Sequence, residues 1–286
     1  MTPQEIFVRL CEYFSFSFVR YAFVVAILIS LCAALLGVSL VLKRYSMIGD
    51  GLSHIAFGAG AVSAVLSVTG MAITLPATIA TAVLLLTSKS KKKIMGDSAI
   101  AMLSAGSLAM GYLLLNLTGT NSSNLSGDVC TSLFGSTSIL TLSKGDVTLC
   151  LVLAAVVIFT FVFLYNKIFA VTFDERFSKA TGIKVNFYNL IIAIMSAVVI
   201  VIGMKLVGAL LISALIIFPA LSAMRVAKSY KGVIVISSVV AVLSAVVGLL
   251  LALVLETPVG AGIVCVNIVS FGVCAIIGAI KRKIKK

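Results

Sequence analysis

The feature that leaves this chain least freedom is a series of apolar runs long enough to cross a lipid bilayer, at about 18–42, 46–68, 71–87, 98–117, 147–166, 187–204, 206–224, 232–254 and 258–280. A hydrocarbon core about 30 Å thick takes roughly 20 apolar residues in a helix, which satisfies its own backbone N–H and C=O groups where no water reaches. The expected fold is therefore all-α, a polytopic helical membrane protein. The third run is short, and the two flanking Lys205 are joined so closely that one of them could be a half-helix. The expectation is eight or nine transmembrane helices. Composition agrees: 61% of residues are hydrophobic and 11% charged, against about 45–50% and 25% in soluble domains. Ordinary soluble enzymes, disordered chains and secreted disulfide scaffolds are excluded.

The 22 Lys and Arg against 9 Asp and Glu leave a net charge of +13, and their placement reports topology, not a nucleic-acid partner. Alternating the spans puts Lys43/Arg44, Lys89 to Lys93, the 167–184 segment, Arg225/Lys228/Lys231 and Lys281 to Lys286 on one side. Only Arg9, Arg20, Lys144 and Lys205 lie opposite. The rich side is cytoplasmic by the positive-inside rule. With nine spans the C-terminus is inside and residues 1–17 form an external N-terminal segment. That segment carries Glu5 and Glu12 and has no signal-peptide pattern. Residues 118–146, rich in Ser, Thr, Gly and Asn, read as the long external loop, with a short interfacial helix around Leu133–Phe134. Residues 167–186 read as a cytoplasmic loop and 281–286 as a basic cytoplasmic tail, so 1–286 is one transmembrane domain. The six Cys form no CxxC pair, and Cys130–Cys150 is the one pair to test for a disulfide.

An ionisable side chain inside a span is costly enough to suggest function. Asp50 and the sole histidine, His54, stand in Gly49-Asp-Gly-Leu-Ser-His54. Four residues apart on a helix, they share one face. If that helix enters the membrane near Tyr45, a rise of about 1.5 Å per residue puts Asp50 roughly 8 Å and His54 roughly 14 Å deep. Imidazole and carboxylate together suit zinc, manganese or ferrous iron. Two other readings stand beside the metal site: a hydrogen-bonded packing pair and a proton relay.

Ala56, Gly58, Gly60 and Ala61 follow with the spacing that lets helices approach closely. Pro219, inside an apolar run, is a candidate kink or hinge. The segment from Phe173 to Ile183, charged and closed by Gly182, reads as a short docking helix or a solvated loop. The chain lacks a G-x-x-x-x-G-K-[ST] loop and, with one His, an H-E-x-x-H motif, so no nucleotide phosphate cradle or metalloprotease centre is encoded.

Several stretches together resemble a known family: Leu35 through His54, including Arg44-Tyr-Ser-Met-Ile-Gly-Asp-Gly-Leu-Ser-His54; Leu133-Phe-Gly-Ser136; Phe173-Asp-Glu with Ala180 and Gly182; and Val207 through Ala223. The chain, over about 15–280, resembles the membrane permease subunits of bacterial ABC importers for zinc, manganese and iron. The Tyr45-Ser46-Met47-Ile48 lead-in looks most like the zinc members.

The resemblance implies an ABC importer permease in the bacterial cytoplasmic membrane, moving a divalent transition metal and catalysing no covalent step. It implies a homodimer, two cytosolic ATPase subunits and an extracellular metal-binding protein. No cofactor is expected beyond the transported metal. Asp50 and His54 match the family's membrane metal-site residues. Phe173, Asp174, Glu175, Ala180 and Gly182 match its ATPase-contact region, although Arg176 and Phe177 replace the acidic and small residues usual there. In a two-fold dimer, two Asp50 and two His54 could supply the four ligands zinc favours. The alternative function is an ion-coupled secondary transporter with an Asp/His proton relay, although the chain shows no internal repeat and only Asp50 lies deep in a span.

Overall fold

The computed structural model describes residues 12–87, 96–117 and 142–284. Among these, nine helices of 18 residues or more coincide with the nine apolar runs: α1 Ser17–Leu42, α2 Ile48–Val65, α3 Gly70–Thr87, α4 Gly96–Leu117, α5 Lys144–Phe163, α8 Val185–Val207, α9 Ala209–Val226, α10 Tyr230–Leu255 and α11 Val259–Ile284. Two short helices, α6 Tyr165–Phe173 and α7 Glu175–Ala180, lie between α5 and α8. Eight of the nine long helices are apolar enough to cross a membrane on composition alone. The ninth, α2, has the length but carries Asp50 and His54.

α1, α8 and α9 form the centre. Ile29, Leu40, Ile200, Leu211, Ile212, Leu215 and Ile216 are all fully buried there. Lipid is as apolar as these side chains, so close packing and dispersion, more than water exclusion, hold them. α2 packs against α4, α3, α9 and α8. α4, α5 and α11 sit at the perimeter with most of their apolar surface turned outward.

Several boundaries differ from expectation for local reasons. α5 starts at Lys144 because Ser143 forms a capping box with Asp146: the Asp146 N–H donates to Ser143 Oγ, and the Asp146 carboxylate accepts from the Ser143 N–H at 3.0 Å. This satisfies two otherwise orphaned donors at the helix start. The expected 167–186 loop is largely helical. Ile168 and Val171 of α6 are buried, and Phe169 and Phe173 pack on each other and on Tyr230, which also meets Tyr165, at centroid separations of 4.9 to 5.8 Å. Neither helix flanking Lys205 is a half-helix: α8 and α9 have 23 and 18 residues and turn on Gly208 alone, at φ +99° and ψ 153°. Only glycine readily adopts that backbone conformation. Residues 1–11, 88–95 with Lys89 to Lys93, 118–141 with Cys130 and the helix expected around Leu133–Phe134, and Lys285–Lys286 lie outside the described residues, and Cys150 is a buried free thiol.

One end of the bundle gathers the basic groups. Lys43 meets Glu175, Ser39 meets Tyr230, Lys231 lies over the Tyr165 ring, and the Arg225 backbone touches Gly278.

Candidate metal site on helix α2

α2 is delivered by an abrupt reversal. Arg44 takes a left-handed conformation at φ 63°, its N–H reaching the Val41 carbonyl, and the Tyr45 N–H reaches the Leu40 carbonyl at 3.0 Å. This is the two-bond closure that ends many helices. Only Ser46 and Met47 then separate the turn from α2. Asp50 therefore falls in the first turn, where exposed N–H groups favour a negative charge.

Asp50 and His54 come together as expected, with His54 Nε2 3.4 Å from Asp50 Oδ1. Their side chains are 39% and 18% exposed respectively, so the pair borders an opening and is not sealed in the core. His54 Nδ1 is buried and has no hydrogen-bond partner among the described residues. Ser53 donates to the Asp50 backbone carbonyl at 2.8 Å, not to its carboxylate. Among the described residues no group of three or more His, Cys, Asp and Glu could hold an ion. One chain therefore offers two ligands, half of a tetrahedral shell.

The other faces of α2 are spent on packing. Gly51 and Gly58, seven residues apart, lie against Ile100 and Ser107 of α4, and Gly49 lies against Ser213 and Ile216 of α9. The close-packing role read from the small residues is borne out at Gly58 but not at Gly60, which helps line a cavity of about 490 Å³ with Ala56, Phe57, Ala61, Ala64, Thr74, Met204 and Lys205. Phe57, Ala61 and Ala64 follow His54 at helical spacing, so the cavity continues the pair's face toward the far end of α2.

The docking segment forms α7. The Asp174 carboxylate accepts from the Arg176 and Phe177 N–H groups, each at 2.9 Å, and caps the helix. At the other end Gly182 at φ +81° lets its N–H reach the Lys179 carbonyl, while the Ile183 N–H reaches Ser178. Ala180, Gly182 and Phe177 are exposed, and Phe173 is exposed while its ring packs on Phe169 and Tyr230. Pro219 is buried inside α9, where it cannot donate to the Leu215 carbonyl.

The sequence reading missed a polar ring behind α7. The Lys43 ammonium donates to Glu175 Oε1 at 2.9 Å and to Asn189 Oδ1, and Asn189 Nδ2 donates to the same Glu175 oxygen at 3.0 Å. Lys43 is 5% exposed and Glu175 52%. Burial pushes the Lys43 ammonium below its usual range, partly offset by Glu175. Burial pushes Glu175 up, but hydrogen bonds from Lys43 and Asn189 outweigh it and hold the carboxyl below its ordinary value. The sequence signal for this ring was weak: a lysine at the end of an apolar run and one Asn near the start of another.

The sequence pattern of the ABC 3 transport family matches residues 15–278. The chain is 28% identical over 274 residues to the manganese import system permease protein ScaB of Streptococcus gordonii, covering 94% of this chain and 96% of the relative. It is 29% identical over 238 residues to the high-affinity zinc uptake system membrane protein ZnuB of Buchnera aphidicola, covering 83% and 89%. Among solved structures, PsaBC from Streptococcus pneumoniae in complex with Fab matches at a TM-score of 0.79 and 27% identity, over 93% of this chain and 95% of that one.

Proposed function

This chain belongs to the ABC 3 transport family, and from that premise we propose that it carries a divalent transition metal inward past Asp50 and His54, its ligands in mid-membrane. It is a multi-pass permease subunit of a metal ABC importer. The observation that carries the ligand assignment is the 3.4 Å Asp50–His54 contact on α2, among the described residues the one long helix too polar to count as an apolar span. Two donors of borderline and hard character hold an ion weakly, as a transient station requires.

The rest of the cycle follows from what one chain lacks. Two donors call for two more, which a second copy across a two-fold axis supplies as a second Asp50 and His54. ATP is hydrolysed by two separate cytosolic subunits that bear on Phe173, Asp174, Glu175, Ala180 and Gly182. Metal arrives from an extracellular binding protein, and the cavity beside α2 is its way toward His54. Pro219 serves as a hinge in α9. The membrane is the bacterial cytoplasmic membrane, with the C-terminal tail inside on the basic face.

Zinc is the favoured cargo, a reading supported by the Tyr45-Ser46-Met47-Ile48 lead-in, which looks most like the zinc members, and by a relative named as a zinc uptake protein. Manganese is the second reading, favoured by a relative named as a manganese permease. Family membership favours an ATP-driven permease over an ion-coupled carrier.

The test is elemental mass spectrometry of cells grown in metal-poor medium, comparing a deletion strain carrying wild type, Asp50→Ala or His54→Ala at matched membrane expression. Losing an orienting partner of a metal ligand already costs about 10–100-fold in affinity, and loss of a ligand should cost no less. Depletion of one metal in both variants identifies cargo and site. Wild-type accumulation in both would reduce the pair to packing.

A further inference from the structure

We propose that Lys43 is a positioning residue of the transport cycle, clamping α7 to the α1–α2 turn so that movement of the cytoplasmic helix reaches Asp50 and His54. The inference rests on the reading of 173–183 as the ATPase contact and of Asp50/His54 as the metal station. It adds the joint between them.

The geometry is that of a closed triangle. Lys43 caps the C-terminus of α1, Glu175 opens α7, and Asn189 stands in the first turns of α8. Each of the three touches the other two, through Lys43 to Glu175 at 2.9 Å, Asn189 to Glu175 at 3.0 Å, and Lys43 to Asn189. The ammonium is on the inside, at 5% exposure, and the carboxylate is on the outward side at 52%. The link therefore runs from a surface a partner can push to a point inside the bundle.

An exposed ion pair would yield to such a push at little cost. Here the cation is buried, and separating it from Glu175 and Asn189 strands an unpaired charge away from water. The ring is accordingly either intact or broken, with nothing favourable between, and a displacement of α7 must carry Lys43 with it. From Lys43 there is no slack: the Tyr45 N–H is tied to Leu40 and the Gly51 N–H to Met47. Asp50 follows seven residues after Lys43 and His54 one helical turn later.

The experiment uses the transporter isolated from native membranes through a tag on this chain and reconstituted in liposomes, with zinc uptake and ATP hydrolysis measured on the same vesicles. Lys43→Met keeps the apolar stem and removes the charge. It is expected to retain the ATPase at the wild-type ratio, to hydrolyse ATP, and to move about tenfold less zinc per ATP, within the usual range of coupling between sites. Lys43→Arg, which restores a cation, should recover most of it. Asn189→Leu, which opens the ring at similar volume, guards against a Lys43→Met chain that fails to fold and should lower zinc per ATP in the same direction.

Wild-type zinc per ATP in both Lys43→Met and Asn189→Leu would overturn the proposal. Loss of the ATPase from the Lys43→Met complex would also overturn it, since the ring would then only hold α7 for docking. Phe177→Asp, on the outward side of α7, separates the underlying reading from the joint. If that variant keeps its ATPase, the contact reading fails, whatever the Lys43 ratio shows.

Discussion

Replacing Gly58 by Ala should loosen the helix pair that holds the metal station, and replacing Gly106 by Ala on the neighbouring helix should not. A Cβ on Gly58 would stand 2.6 Å from the Ser107 carbonyl oxygen and 3.2 Å from its carbon, whereas one on Gly106 meets nothing within 4 Å. Carbon and oxygen settle at about 3.3–3.6 Å even in a favourable C–H···O contact, so α2 and α4 must part by about 0.7–1 Å. Overpacking of this kind costs about 1–3 kcal/mol. The intrinsic gain from Gly to Ala in a helix is about 1 kcal/mol. Gly58→Ala therefore nets about 0–2 kcal/mol of destabilisation and Gly106→Ala about 1 kcal/mol of stabilisation, a separation of about 1–3 kcal/mol. Thermal unfolding of the two detergent-purified variants, followed by the loss of the monodisperse peak on size exclusion, reads that separation as a difference of several degrees. Asp50 and His54 ride on α2, so Gly58→Ala should also lower metal uptake at matched expression while Gly106→Ala leaves it unchanged. Equal stability in the two variants would refute the argument, because it would mean that the backbones of α2 and α4 do not meet at Gly58.

Two further outcomes follow from the turn and the ring. Gly208→Ala forces a side chain into a region only glycine readily occupies, at a cost of about 1–3 kcal/mol, and should lower the melting temperature by a few degrees; an unchanged value would place the turn elsewhere. Glu175 is held below its ordinary range, so its stabilising contribution is present above the usual carboxylate range of about 4.3 and lost as pH falls through the folded value. The melting-temperature gap between wild type and Glu175→Gln should be flat from about pH 8 to 6 and close below about pH 4, as a pH series of melting curves would show.

Local pattern made much of this protein legible. The nine long helices lie where the apolar runs lie, because a span is specified by its own length and composition. The Asp50–His54 contact was legible for the same reason: four residues on one helix fix their distance whatever surrounds them. The same local logic placed Gly182 at the end of α7, where the backbone needs a positive φ. The pattern over 167–186 reads as a loop, since the aromatic cluster on which α6 packs draws on Tyr230, far along the chain.

What the tertiary structure alone decided is which residues meet across the bundle. Lys43 lies 132 residues from Glu175 and 146 from Asn189, and no periodicity relates positions that far apart. Glu175 and Asp174 were legible as members of a docking segment, but their carboxylates are engaged within the chain itself, one by Lys43 and one by the N–H groups of its own helix. The cavity beside α2 likewise needs walls from α3, α4 and α8 before it exists. Spans and caps arise from interactions within a few residues, which a sequence displays directly. Joints and cavities arise from how close two helices come, and that distance is set by every other helix packed around them.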